Sequence, residues 1–155
     1  MIPLTQSDLT DAQRQLGEQK KQLFLHRVNL LLNNIKQWAT EAGLQVTTGQ
    51  VPIREKFTGL YTAPSLTIGL PEQKLADVIP VSAFVIVADG LVNIEGWLGN
   101  EQVAYLQRQE QQLYPIETDD WYWVEESQGR KIHRMTKDTL LETISMVSDY
   151  EYQPA

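Results

Sequence analysis

Between Asp11 and Gly43 apolar side chains recur at alternating spacings of four and three, at Phe24, Val28, Leu31, Ile35, Trp38 and Ala42, with Leu25, Leu32 and Ala39 widening the stripe. That period predicts one long amphipathic helix with a buried face. Thr10-Asp11-Ala12-Gln13 matches a capping box at its start, with Ser7 as an alternative start one turn earlier, and Gly43 stands where a left-handed terminator would. The first turns differ. Gln13, Arg14, Gln15, Glu18, Gln19, Lys20 and Lys21 are polar nearly all round, and Gly17 weakens a helix by about 1 kcal/mol relative to alanine. The helix is expected to project or bend there. Its seven-residue spacing resembles a helix-pairing face and offers a second contact or a dimer seam.

The period then changes to two. Leu44–Val51 is rich in β-branched residues, and Pro52-Ile53-Arg54-Glu55-Lys56-Phe57 alternates as an edge strand would, with Pro52 tolerated where an amide donor is not needed. Ser65–Leu70 reads as a short strand closed by Pro71. In Val78–Val87 both alternating sets are apolar, which predicts a strand covered on both faces, with Pro80 at its first residues or at a bulge. Asp89-Gly90 between this run and Leu91–Leu98 predicts a two-residue hairpin turn, because such turns need positive φ at both central positions. Gly96, Gly99 and Asn100 mark a hairpin end, Glu101–Gln107 is read as strand in preference to helix, and Trp121–Val124 and Lys131–Met135 form a hairpin about Gln128-Gly129. Thr136 caps a closing helix carrying Leu140, Leu141, Ile144 and Val147.

Strands joined by short turns are antiparallel, and helices stand at the chain ends, so the class is α+β. The expected architecture is a long N-terminal helix packed on a mainly antiparallel sheet of about five to seven strands, followed by a short C-terminal helix. At 155 residues and 42% hydrophobic content the chain is the size of one domain, 1–155. The polar start, about residues 1–20, and the tail 149–155 are the parts expected to be mobile.

Charge is unevenly divided. Residues 1–77 carry eight Lys/Arg against seven Asp/Glu (+1), and residues 78–155 five against thirteen (−8), which sum to the net −7. An acidic surface disfavours nucleic acid, which needs a concentrated basic footprint, and attracts a basic protein. The absence of cysteine removes disulfides, thiolate metal sites and a cysteine nucleophile. MIPLTQSDLTDAQ does not read as a secretory signal and no run is long enough to cross a bilayer, so a cytoplasmic location and no membrane partner are expected.

Chemistry-bearing constellations are sparse. Asp77, Asp89 and Glu95 flank the central hairpin and could place a metal beside a phosphate, but no lysine follows Glu95 by two residues to stabilise developing charge. Glu117, Asp119 and Asp120 fall short of a calcium loop, which needs more ligands and a glycine turn. His26 and His133, the only histidines, have no metal-ligand spacing. Ser65, Ser82, Ser127, Ser145 and Ser148 sit in no glycine-flanked elbow, and no glycine-rich phosphate loop opens a helix. Trp121 and Trp123 share one side of their strand and Tyr122 takes the other. Beside Glu117, Asp119, Asp120, Glu125 and Glu126 they form a core element or, if exposed, an interface anchor.

The sequence thus points to an acidic binding module with no catalytic site and no cofactor. Its expected partner is a basic protein that it neutralises or adapts, met through Trp121, Tyr122, Trp123 and the neighbouring carboxylates, with the long helix offering self-association. The alternative is a metal-dependent hydrolase or nuclease-like enzyme using Asp77, Asp89 and Glu95.

Overall fold

A computed structural model of the chain describes residues 9–84, 88–108, 116–126 and 131–153. The first element is helix α1, Asp11–Glu41. Thr10 caps it as expected: its hydroxyl accepts from the Gln13 amide while the Gln13 side chain accepts from the Thr10 amide. Gly43, at φ 84°, ends it. Its core face carries Phe24, Val28, Leu31, Leu32, Ile35 and Ala39. The polar first turns do not project from the body. Gly17 is buried, and a β-carbon there would lie 1.9 Å from the Phe57 carbonyl oxygen. This glycine is where the helix meets a chain reversal of the sheet, and only a residue without a side chain permits that approach.

The sheet is a seven-stranded antiparallel meander in sequence order: β1 (Gln45–Glu55), β2 (Gly59–Leu70), β3 (Gln73–Ser82), β4 (Leu91–Gly96), β5 (Gly99–Leu106), β6 (Asp120–Glu125) and β7 (Lys131–Arg134). The two runs read as Leu44–Val51 and Pro52–Phe57 are one edge strand, β1, and the short strand Ser65–Leu70 is the second half of β2. Pro52 sits in the middle of β1, which stands at the end of the strand order, where a missing amide donor is tolerated. Pro64 lies in the half of β2 that pairs with β1 but not with β3, whose ladder begins at Leu66↔Val78. Pro80 adjoins a register shift between Pro80 and Ser82, the bulge the sequence allowed for.

Asp89-Gly90 is not a two-residue turn. The β3–β4 ladder ends at Ser82↔Leu91, so the connection runs over residues 83–90, of which Val85–Val87 lie outside the described residues. Asp89 and Gly90 instead bracket Tyr105 of β5 with two backbone hydrogen bonds, Asp89 N to Tyr105 O at 2.9 Å and Tyr105 N to Gly90 O at 3.0 Å. Gly90 still has positive φ, 153°, and its missing side chain leaves room for the Phe24 ring. The turn expected at Gln128-Gly129 also lies outside the described residues, but β6 and β7 pair as expected.

Helix α2, Lys137–Val147, carries a capping box between Thr136 and Thr139. Both helices and the sheet close one main core, into which Trp121 and Trp123 point together with Val92, Ile94, Val103, Leu140 and Ile144. Because strand side chains alternate, Tyr122 must face the other way. It is buried there with Ala104, Leu106 and Ile116. Tyr150 and Tyr152 pack against the main core, and the Tyr152 hydroxyl donates to Asp138 at 2.7 Å, which ties down the beginning of the tail. Among the described residues no helix is long and apolar enough to cross a membrane.

Candidate functional site

Helical geometry turns about 100° per residue, so positions seven apart return within about 20° of one another. Leu16, Leu23 and Leu30 are such a series. They lie about 120° round α1 from the Val28–Ile35 line and are 51%, 50% and 53% exposed. The contact of Gly17 with Phe57 and the burial of Phe24 fix the rotation of the helix, and that rotation holds this row of leucines outward.

Beside the row runs a groove between α1 and the rim of the sheet. One depression of about 210 Å³ is lined by Leu16, Leu23, Arg27, Ala83, Asp89 and Gln107. It meets at Arg27 a larger one of about 530 Å³, whose lining includes Leu30, Trp38, Tyr105, Trp121 and Met135. Arg27 is the hinge of the groove. Its guanidinium lies 4.2 Å from the Tyr105 ring centroid, and its carbonyl accepts from the Trp121 indole at 3.1 Å. With its amide turned to satisfy both neighbours, Gln107 donates to Asp89 at 3.0 Å and accepts from Arg27 at 2.9 Å.

The charges of the groove are already matched. Lys20 approaches Asp89 at 3.7 Å, Asp119 accepts from the Arg108 amide at 2.8 Å, and Asp120 holds Arg134 at 2.7 Å. Lys137 faces Glu41 at 3.5 Å. The two linings together hold four cations, Lys20, Arg27, Arg134 and Lys137, against three carboxylates, Asp89, Asp119 and Asp120. The acidity of the second half of the chain is therefore not concentrated here.

The residues singled out by sequence separate into groups. Trp121, Tyr122 and Trp123 are all buried, so the aromatic strand supplies no surface anchor: both faces of β6 are covered. Asp119 and Asp120 line the groove, whereas Glu117 is exposed just before them. Glu125 meets His133 at 2.9 Å, and the His133 ring lies 4.8 Å from that of Trp123. Glu126 is exposed at the end of the strand. On the same face Glu101 is held above the usual glutamate range, chiefly by burial and further by the charges of Glu125 and Glu126, against the opposing pull of the Trp123 indole.

Asp77 and Glu95 do stand opposite each other across β3 and β4. Asp77 is occupied by Thr67 Oγ1 at 2.7 Å and Lys74 Nζ at 2.8 Å. Asp89 is not with them. Six residues of nearly extended chain, on the order of 20 Å, separate it from Glu95, and it faces Lys20. The long connection sets the register that puts Asp77 opposite Glu95; a tight turn at Asp89-Gly90 would have paired Glu95 with Phe84, and neither arrangement brings the three carboxylates together. Among the described residues no group of three or more His, Asp or Glu side chains could hold a metal ion.

A second carboxylate is tightly engaged away from the groove. Glu55, at the end of β1, accepts from the Tyr61 hydroxyl at 2.9 Å, from the Ala83 amide at 3.1 Å, from the Phe84 amide at 3.2 Å and from the Ser82 hydroxyl. Burial and the Glu55 charge push the Tyr61 phenol up. This clamp anchors the start of the β3–β4 connection to the β1–β2 hairpin. The Phe57 and Phe84 rings, 5.5 Å apart, pack beside the crossing at Gly17.

Seven-residue spacing is visible along the helix in the sequence, without marking out Leu16, Leu23 and Leu30. Their separation from the three-and-four stripe was the available signal. Trp97 is 69% exposed at the β4–β5 turn, where the Leu98 amide donates to the Val147 carbonyl at 3.0 Å and pins that turn to the end of α2. Comparison with models of known families, with curated proteins and with solved structures finds no match for this chain.

Proposed function

We propose that this chain is a protein-interaction module that docks a partner along α1, with Leu16, Leu23 and Leu30 as the apolar wall and the Asp89–Gln107–Asp119–Asp120 rim as the polar one. The observation that carries the reading is the row of half-exposed leucines on a helix whose opposite face already fills the core. Scattered exposed leucines are ordinary on protein surfaces; three in line beside two depressions that adjoin at Arg27 favour contact with another chain. Specificity would come from the fixed hydrogen-bonding groups of Arg27, Gln107 and Asp89, which are held in place before any partner arrives. The groove offers no excess of carboxylates, so a basic partner is not part of this reading.

A photo-reactive amino acid placed at position 23, and separately at the exposed position 36 on another side of α1, tests it in the native host cell. The reading expects discrete adducts from position 23 that position 36 does not give. The same adducts from both positions, or none from 23, would refute it.

A further inference from the structure

We infer that the partner across the leucine row includes a second copy of this chain, the two α1 helices lying side by side in parallel. This rests on the docking reading above and names its occupant.

Around the leucines, the exposed positions that complete a pairing face are Gln19, His26 and Asn33, each three residues after a leucine. None of the six side chains from Leu16 to Asn33 carries a fixed charge. That matters for two molecules of net charge −7 each, whose surfaces repel one another. The α1 segment itself holds five Lys/Arg against three Asp/Glu, so it is also where the acidic excess of the chain is absent. Parallel pairing stacks Leu16, Leu23 and Leu30 on their own copies, with Gln19, His26 and Asn33 in the intervening layers. The Gln and Asn amides, and a neutral imidazole, each carry both a donor and an acceptor and can pair with themselves. Antiparallel pairing would set each leucine against one of these polar groups, leaving the leucines without apolar partners. The flanks do not oppose the arrangement: Gln15, Gln22 and Asn29 on one side are uncharged, while Lys20 and Arg27 on the other are drawn onto Phe84 of the β3–β4 connection and Tyr105 of β5 in their own molecule.

The contact area sets the strength. Eighteen residues, Leu16 to Asn33, span about 27 Å of helix, and one helix seam of that length buries less than the roughly 800 Å² per partner of a standard interface. The pair is a weak, concentration-dependent dimer with Kd above about 10 µM.

Sedimentation of the purified full chain from about 1 µM to about 1 mM tests this. The weight-average mass should climb from 17.7 kDa toward twice that value. Leu23→Glu should keep the wild-type circular dichroism yet weaken association at least tenfold, roughly the effect of one misplaced charge in an apolar contact. Because the chain has no cysteine, Gln19→Cys and Asn33→Cys are clean probes, and each alone should form a disulfide-linked dimer on mild oxidation. A wild-type chain monomeric throughout, or a folded Leu23→Glu that associates as well as wild type, overturns the pairing. Dimers that neither cysteine variant can link overturn the parallel arrangement. A monomeric purified chain whose position-23 probe still captures a different protein removes self-pairing and leaves the docking reading standing; no adduct and no dimer removes both.

Discussion

Gly17→Ala is the substitution in which local propensity and tertiary contact pull most clearly in opposite directions. In a solvent-surrounded helix interior the change stabilises by about 1 kcal/mol. In this fold the added carbon would stand 1.9 Å from the Phe57 carbonyl oxygen and 2.7 Å from its carbonyl carbon. An ordinary C···O contact is about 3.3 Å or more, so helix and hairpin must part by roughly 1.4 Å. Both groups are backbone, and neither can rotate aside. Overpacking of this kind costs about 1–3 kcal/mol, with the upper end expected for a clash between two elements, and the propensity gain leaves a net loss of about 1–2 kcal/mol. Urea unfolding followed by circular dichroism and tryptophan fluorescence should show a lower midpoint with an unchanged slope. A Gly17→Ala chain more stable than wild type by about 1 kcal/mol would mean that the first half of α1 does not rest on the sheet. The rotation that holds Leu16 and Leu23 outward would then lose its cause.

Glu55→Gln should cost about 2–4 kcal/mol, since one amide oxygen cannot serve the hydroxyl and backbone donors that converge on the carboxylate, and its NH₂ would face another donor; urea titration measures the loss, and a change below about 0.5 kcal/mol would contradict the clamp. At Glu101 the sign is reversed. Burial raises its folded-state value above that of the unfolded chain, so folding binds the proton more tightly, and stability falls as pH rises from the ordinary glutamate value through the raised one. Glu101→Gln should therefore be more stable than wild type at neutral pH, with the difference vanishing once both states are protonated in acid. A difference that grows toward low pH would refute the assignment.

Much of the fold was legible because local chemistry and tertiary demand agree. Thr10 and Thr136 cap where their side chains can reach back to the helix, and the three-and-four spacing from Phe24 to Ala39 is the face that packs. The antiparallel order followed from short connections. The misreadings arose where one residue serves two ends. Asp89-Gly90 has the composition of a tight turn, but its backbone is committed to Tyr105 of β5, a partner that no local pattern reveals. Gly17 was read by propensity alone, although its role is to admit a carbonyl from a residue forty positions on. The Trp121–Trp123 strand was legible only as alternating. That Tyr122 is also covered depends on Ile116 and Leu106 arriving from elsewhere in the chain. The groove was the least legible feature, since it lies between an exposed helix row and strand ends distant in sequence.

The central claim is that Leu16, Leu23 and Leu30 serve contact with another chain and not the fold of their own. The most direct measurement is the unfolding free energy of Leu23→Gln at a concentration where the protein is monomeric. The account predicts a value within about 0.5 kcal/mol of wild type, as for a surface position. A loss of about 2 kcal/mol or more, the cost of truncating a leucine that fills a core, would place the row inside the molecule's own packing and contradict the account.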